Sequence, residues 1–507
     1  MEFAKAIKEE SNKTFTENGA VSLKSTNSAL VDLFASIGAL RTKSDDEVVK
    51  SFRSAFVEDR LLATKMLFYA RNVRGGLGER KVFRTMLKDL ATTNPEIVVK
   101  NIELIPVFGR YDDLYELIGT EAEFYMWSFL NTTIQNDIRS AVAGKPVSLC
   151  AKWLKSVNTS SHKSNELGKL TAKNLGMTER KYRKVLAGLR AQANLPEVNM
   201  FAKNGGAINI GLLLVRVMKD YGKTFQNEDP VGFAKFMEKV EKGEVTIKAG
   251  TLYPYDILMG ANLTYEYPSG NRWDYSGTRS YPHFKIDADA VLEAQWKALP
   301  NYVSGENNVL VMSDTSGSME SDNGRPMATA IGLAVYFAER NKGAYKDLFL
   351  TFSESPRFVN LSGNSLAEKI SNIESIVANT NLESAFDLIL KVAVDNNVST
   401  DEMPKSLIII SDMQFDGAVG ARGTSKTFFN SMKDKFASKG YTMPTVIFWQ
   451  VSERGNAFQA DRFDANVILV SGQSTSTFKG ILSNIGKTPF DFMCETLADP
   501  IYDVVKI

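Results

Sequence analysis

"VLVMSDTSGSMES", residues 309–321, is the stretch on which the reading of this chain turns. A short apolar run stops at Asp314, and Ser316 and Ser318 follow at alternating positions. Apolar runs of this length, without alternation, suit strands buried on both faces. Four more such runs lie downstream: "DLFLTFS", "KSLIIISD", "PTVIFWQVS" and "NVILVSG". Amphipathic stretches separate them. In "RPMATAIGLAVYFAERN" the residues Met327, Ile331, Ala334, Val335 and Ala338 share one stripe, and in "LESAFDLILKVAVDNN" Leu382, Ala385, Phe386, Ile389 and Leu390 do the same. Strand and helix in alternation predict a doubly wound, mainly parallel sheet over 305–507, with any site beyond the carboxyl ends of its strands.

Upstream, residues 1–250 read as successive helices. "ALVDLFASIGAL", "DRLLATKMLFYARNV", "ERKVFRTMLKDLATT" and "DDLYELIG" space their apolar residues by three and four, with Gly, Pro or Asn interruptions between them. Helix pairs in succession suggest an α-solenoid, although no sharp repeat period is visible. Residues 251–304 are rich in Tyr, Pro and Gly without helical period, and predict an ordered aromatic connector. A chain of 507 residues is too long for one compact core, so two or three domains are expected.

The bulk composition narrows the function classes. Net charge is +1, so a nucleic-acid surface has to be a local patch. Two cysteines form no disulfide framework, the charged start "MEFAKAIKEESNK" is unlike a signal peptide, and the longest apolar runs fall short of a membrane span. A soluble, cytoplasmic protein is expected.

At the end of the first strand Asp314, Ser316 and Ser318 can turn their oxygens to one point. Thr380, before the next helix, and Asp412, ending another strand, stand at matching places. Carboxylates and hydroxyls without imidazole or thiolate make a hard oxygen site suited to Mg²⁺ or Mn²⁺. The simpler alternative is an Asx/Ser turn leading into a helix. A serine nucleophile would need a base, and the only histidines, His162 and His283, lie outside the sheet region; no enzyme activity and no zinc site are expected. The glycine-rich "RNVRGGLGERK" and "VGARGTSKT" fail the phosphate-loop patterns and read as turns.

One segment departs from the balanced charge. Residues 152–190 hold ten Lys or Arg against two Glu. In "TERKYRKVLAGLR", Tyr182, Val185, Leu186 and Leu189 form the inward stripe, which sends Arg180, Lys181, Arg183 and Lys184 outward. With Lys169 and Lys173 upstream they are the candidate contacts to a nucleic-acid phosphate backbone; a solvated helix face is the competing explanation.

The D-x-S-x-S cluster with Thr380 and Asp412 resembles the metal-ion-dependent adhesion site of von Willebrand factor A domains. That resemblance implies direct metal binding by Ser316, Ser318 and Thr380, with Asp314 and Asp412 often acting through water. Taken in order, "STNSALVDLF", "RNVRGGLGER", "LGMTERKYRKVLAGLR", "YPYDIL", "DTSGSM" and "EMPKSLIIISDMQFD" resemble the Ro-like family, in which a TROVE domain precedes a von Willebrand A domain. The similarity is nearest to uncharacterised Ro-like proteins of large phages, plants and fungi. The family implies HEAT-like helical repeats forming a ring, with single-stranded RNA ends in its hole and structured RNAs on its outside. RNA is therefore the expected partner, in a ribonucleoprotein without DNA or membrane. The alternative is a metal-dependent adaptor that takes an acidic protein ligand at the metal.

Overall fold

The computed structural model describes residues 2–193, 227, 230–242, 244, 252–267, 281–287, 290–303, 308–352, 356–375, 381–415, 428–452 and 457–507. The chain divides into two compact units. One comprises Met1–Leu62, Arg74–Leu77 and Lys248–Asp499; the other comprises Ala63–Val73, Gly78–Ile247 and Pro500–Ile507.

The first unit is α/β. It opens with an antiparallel pair, β1 (Lys13–Phe15) and β2 (Val21–Leu23), and carries a second pair, β3 (Thr264–Glu266) and β4 (His283–Lys285). Its centre is a six-stranded sheet of β5 (Val309–Asp314), β6 (Leu348–Phe352), β7 (Arg357–Asn360), β8 (Ser406–Ser411), β9 (Thr445–Gln450) and β10 (Val467–Ser471). The order is β10-β9-β8-β5-β6-β7, parallel throughout except for β7. β5, β8, β9 and β10 are buried along their whole length, which is why they read as unbroken apolar runs. β7 was not expected. Three of its four residues are exposed, and it closes the sheet edge as a short antiparallel strand.

The chain leaves β5 for β6 on one side and later returns to place β8 on the other, so the strand order reverses between β5 and β8. The crevice beyond such a switch is where open parallel sheets bind ligands.

The helix Ser321–Arg340 crosses the sheet. Asp322, Asn323 and Gly324 take left-handed backbone angles, and the regular helix starts after them with Pro326 in its first turn. All five residues of the predicted stripe are buried, and so are Ala330, Leu333, Tyr336 and Phe337 on its other faces. The far side is covered by residues of 251–304. A Cβ on Gly332 would lie 2.9 Å from Pro254 Cβ, Tyr336 donates its hydroxyl to Pro300 O at 2.5 Å, and the buried Trp296 donates Nε1–H to Glu339 at 2.7 Å. The expected connector is thus a packed layer of the α/β unit. It also contains two helices, Pro254–Gly260 and Ala290–Lys297, too short to show a period.

The same unit claims the first 62 residues, which the sequence assigned to the helical region 1–250. The helix Ala29–Ser36, capped by Ser28, leads to Gly38, where a Cβ would lie 2.5 Å from Gly472 Cα. Leu23 and Phe458 exchange backbone hydrogen bonds, both 2.8 Å. Long-range pairing of this kind leaves no mark in local periodicity.

The second unit is helical among its described residues. It includes most of Arg60–Arg71, then Arg80–Thr93, Glu123–Val142, His162–Asn174 and Glu179–Gln192. "DDLYELIG" forms a 3₁₀ segment, Tyr111–Leu117, instead of the expected α-helix. Phe68, Phe83, Phe108 and Tyr502 pack as an aromatic cluster, with Phe108 and Tyr502 stacked at 5.6 Å, so the last residues of the chain complete this unit. "RNVRGGLGERK" is a turn between helices, as expected; "VGARGTSKT" lies outside the described residues. Among the described residues no helix is long and apolar enough to cross a membrane.

Candidate metal centre and basic helical face

Asp314 ends β5 and Ser411 ends β8, neighbouring parallel strands on either side of the switch. Asp314 is fully buried. Its Oδ1 accepts the Ser316 backbone N–H at 2.8 Å, an Asx turn that bends the chain off the strand. Its Oδ2 accepts the Ser411 hydroxyl at 2.5 Å. Ser316 and Ser318 share a hydrogen bond between their hydroxyls at 3.1 Å, which brings the two oxygens together just beyond the end of β5.

On β8's side, Asp412 is fully buried and its Oδ1 accepts the Gln414 N–H at 3.2 Å. Met413 is held at φ +64°, a costly angle for a side chain of this kind. The β1–β2 pair holds that turn in place: the Thr16 hydroxyl donates to Phe415 O at 2.5 Å, Glu17 N–H to Gln414 Oε1 at 2.9 Å, and Asn18 Nδ2–H to Gln414 O at 2.8 Å.

Asp314, Ser316, Ser318 and Asp412 therefore gather at the carboxyl ends of β5 and β8. Thr380, the fifth predicted ligand, lies outside the described residues. Burial, and then the neighbouring Asp412 charge, push the Asp314 carboxyl up to about 7. No basic side chain forms an ion pair with Asp314 among the described residues, so a cation beside it would favour its ionised form. Two carboxylates and two hydroxyls fit a hard divalent cation such as Mg²⁺ or Mn²⁺. Among the described residues no group of three or more His, Cys, Asp or Glu is placed to hold a metal ion, and this site offers only two carboxylates beside its hydroxyls. Ser411 was missed from sequence. A serine before a strand-end aspartate carries no signal until the β5–β8 register is known.

The basic face lies on the helical unit. Thr178 caps the helix Glu179–Gln192, accepting Lys181 N–H at 3.3 Å, and Tyr182, Leu186 and Leu189 are buried, with Val185 half-buried. Lys169, Lys173, Arg180, Lys181, Arg183 and Lys184 are all exposed, and none forms an ion pair among the described residues. Arg190, by contrast, turns inward and donates to Ala151 O, Leu154 O and Ser156 Oγ at 2.8–3.0 Å. Of the connector aromatics, Tyr265 is exposed, and Tyr253 and Tyr267 are half-buried, Tyr253 donating to Leu77 O at 3.3 Å; Trp273 and Tyr275 lie outside the described residues.

Residues 16–123 and 148–307 match the family described as a domain of unknown function, DUF2828. The chain belongs to the DUF2828 family. A second domain of unknown function, DUF7788, matches 308–491, so the join between the two matches falls just before β5. This DUF2828 protein is also similar to an uncharacterized protein of Acanthamoeba polyphaga mimivirus. The two are 26% identical over 540 residues, covering 98% of this chain and 89% of the relative.

Proposed function

We propose that the protein is a non-enzymatic, Ro-like RNA-binding protein whose helical-repeat unit holds RNA phosphates and whose von Willebrand A-type unit holds Mg²⁺. The observation that carries the RNA reading is the set of six exposed cations on two successive helices, without carboxylate partners among the described residues, in a chain of net charge +1. A charge run that serves only to solvate a helix is normally interleaved with acids. Uncompensated Lys and Arg attract a polyanion and release its counterions on binding.

Mg²⁺, when bound, would supply positive charge to the buried Asp314 and Asp412 and an open position for an anionic group. Asp314, Ser316, Ser318 and Asp412 would hold it. The buried Asp314, with no ion pair among the described residues, also favours a second reading, an adaptor that takes an acidic side chain from a protein partner at the metal.

The test is made on protein purified from its own host. The 260/280 absorbance ratio is read before and after RNase, and the released material is sequenced. RNase-sensitive RNA that is lost on reversing Arg180, Lys181, Arg183 and Lys184 to glutamate, with the circular dichroism unchanged, supports the RNA reading. Nucleic-acid-free protein that brings down a partner, and releases it with EDTA or in Asp314→Ala, replaces that reading with the adaptor.

A further inference from the structure

A second concentration of positive charge lies in the helical unit, away from the six residues of the basic face in sequence and built differently. Four cationic side chains, Arg71, Arg80, Arg84 and Lys155, converge on the adjacent Asp112 and Asp113, with Glu116 at the edge and the Arg110 guanidinium nearby. Asp113 is fully buried and satisfied: Arg71 Nε–H donates to its Oδ2 at 2.8 Å, Arg84 Nε–H to its Oδ1 at 2.6 Å, and Arg110 N–H to Oδ2 at 3.0 Å. This half is structural.

Asp112 is different. A single oxygen, Oδ2, receives three cations: Arg80 Nη2 at 2.7 Å, Arg84 Nη2 at 3.2 Å and Lys155 Nζ at 3.5 Å. Burial opposes the Asp112 charge, but Arg84, Arg80 and Lys155 outweigh it and hold the carboxyl below its usual range. Arg110 has no carboxylate within ion-pair distance among the described residues. Its guanidinium stacks on Trp153 at 4.3 Å from the ring centre. Burial, and then the facing charges of Arg71 and Arg80, disfavour that cation. Arg71 Nη2, on a side chain only 2% exposed, has no hydrogen-bond partner among the described residues.

Asp112, Asp113 and Glu116 supply three carboxylates against five cations, and Asp112 Oδ1 is itself buried without a hydrogen-bond partner among the described residues, yet Arg110 is left without an ion pair beside two other arginines. The rim is open, with the Arg80 side chain 47% exposed and Lys155 30% exposed. We propose that Arg80, Arg110 and Lys155 form a binding site for a phosphate group. Guanidinium forks match tetrahedral oxyanions in bidentate geometry, a lysine adds a point charge, and Trp153 holds the Arg110 plane in position. Asp112 and Asp113 are positioning residues, which fix the arginines before any ligand arrives. The inference concerns different residues from the RNA reading and stands apart from it.

The experiment is calorimetric titration of the full chain with inorganic phosphate at low chloride, repeated with adenosine monophosphate. The wild type is expected to take up phosphate saturably, and Arg80→Gln and Lys155→Gln are each expected to weaken it at least fivefold. Lys145→Gln, on an exposed loop, is expected to leave it unchanged. Tighter uptake of the nucleotide than of phosphate assigns the group to a nucleotide, and equal uptake assigns free phosphate. If Arg80→Gln loses its helical circular dichroism, the more peripheral Lys155→Gln decides alone. Absence of saturable uptake by the wild type, or uptake unchanged in Lys155→Gln, overturns the proposal. Reversing Arg180–Lys184 is expected to leave the phosphate isotherm intact, which separates this test from the RNA one.

Discussion

The Ser411 hydroxyl donates to Asp314 Oδ2 at 2.5 Å across the join of β5 and β8, tying together two strands that lie 97 residues apart in the chain. Ser411 in turn accepts the Met413 N–H at 2.9 Å, so one hydroxyl links the Asp314 carboxyl to the turn that carries Asp412. The two acids are therefore pre-positioned by the sheet, before any cation is present.

This pairing predicts a specific pH dependence. The folded Asp314 carboxyl is raised to about 7, whereas an unfolded aspartate titrates near its ordinary value of about 3.9. A raised acid stabilises the fold fully below the lower value, and that contribution is lost as pH rises through the upper one. In EDTA, Asp314→Asn should gain on the wild type in melting temperature between pH 5 and pH 8. Saturating Mg²⁺ should close the gap, adding about 2.7 kcal/mol at a hundredfold excess over Kd. A gap that does not change with pH or Mg²⁺ would show that Asp314 is not held this way.

Reversing Arg180, Lys181, Arg183 and Lys184 should reduce affinity for single-stranded RNA without unfolding, since all four are exposed. If each contacts one phosphate, the slope of log affinity against log salt should shrink by about 3. Fluorescence anisotropy across a salt series measures it; an unchanged slope would place the RNA elsewhere.

The buried Arg71–Asp113 pair should respond unlike a surface ion pair of the same unit. Asp113→Ala leaves Arg71 buried without its partner and is expected to cost about 3–5 kcal/mol in urea denaturation. Lys65→Ala removes a pair whose Asp503 partner is 65% exposed, and should cost under about 1 kcal/mol. Equal costs would mean that the Arg71–Asp113 pair is solvated.

Two glycines should diverge in sign. Gly38→Ala forces a Cβ to 2.5 Å from the Gly472 backbone, where neither chain can yield, and should cost about 1–3 kcal/mol. Gly188→Ala, within the helix Glu179–Gln192 and with nothing within 4 Å of the added carbon, should stabilise by about 0.5–1 kcal/mol. Thermal melts of the two variants report both signs.

The strands β5, β8, β9 and β10 were legible because a strand covered on both faces is mainly apolar along its length, a local property that a short window displays. The basic face was legible for a related reason, since burying Tyr182, Leu186 and Leu189 obliges Arg180, Lys181, Arg183 and Lys184 to point away. β7 was not legible: four residues with a single buried position carry too little pattern.

Sequence alone thus determined which segments alternate as strand and helix, and which acids and hydroxyls end the strands, because both depend on neighbours within a few residues. Only the tertiary structure decided that β5 and β8 lie side by side, that Ser411 meets Asp314, that β1 and β2 brace the turn after Asp412, and that residues 1–62 join the α/β unit. Each of these is a contact between residues far apart in the chain, paid for by loop-closure entropy and settled by burial over the whole unit.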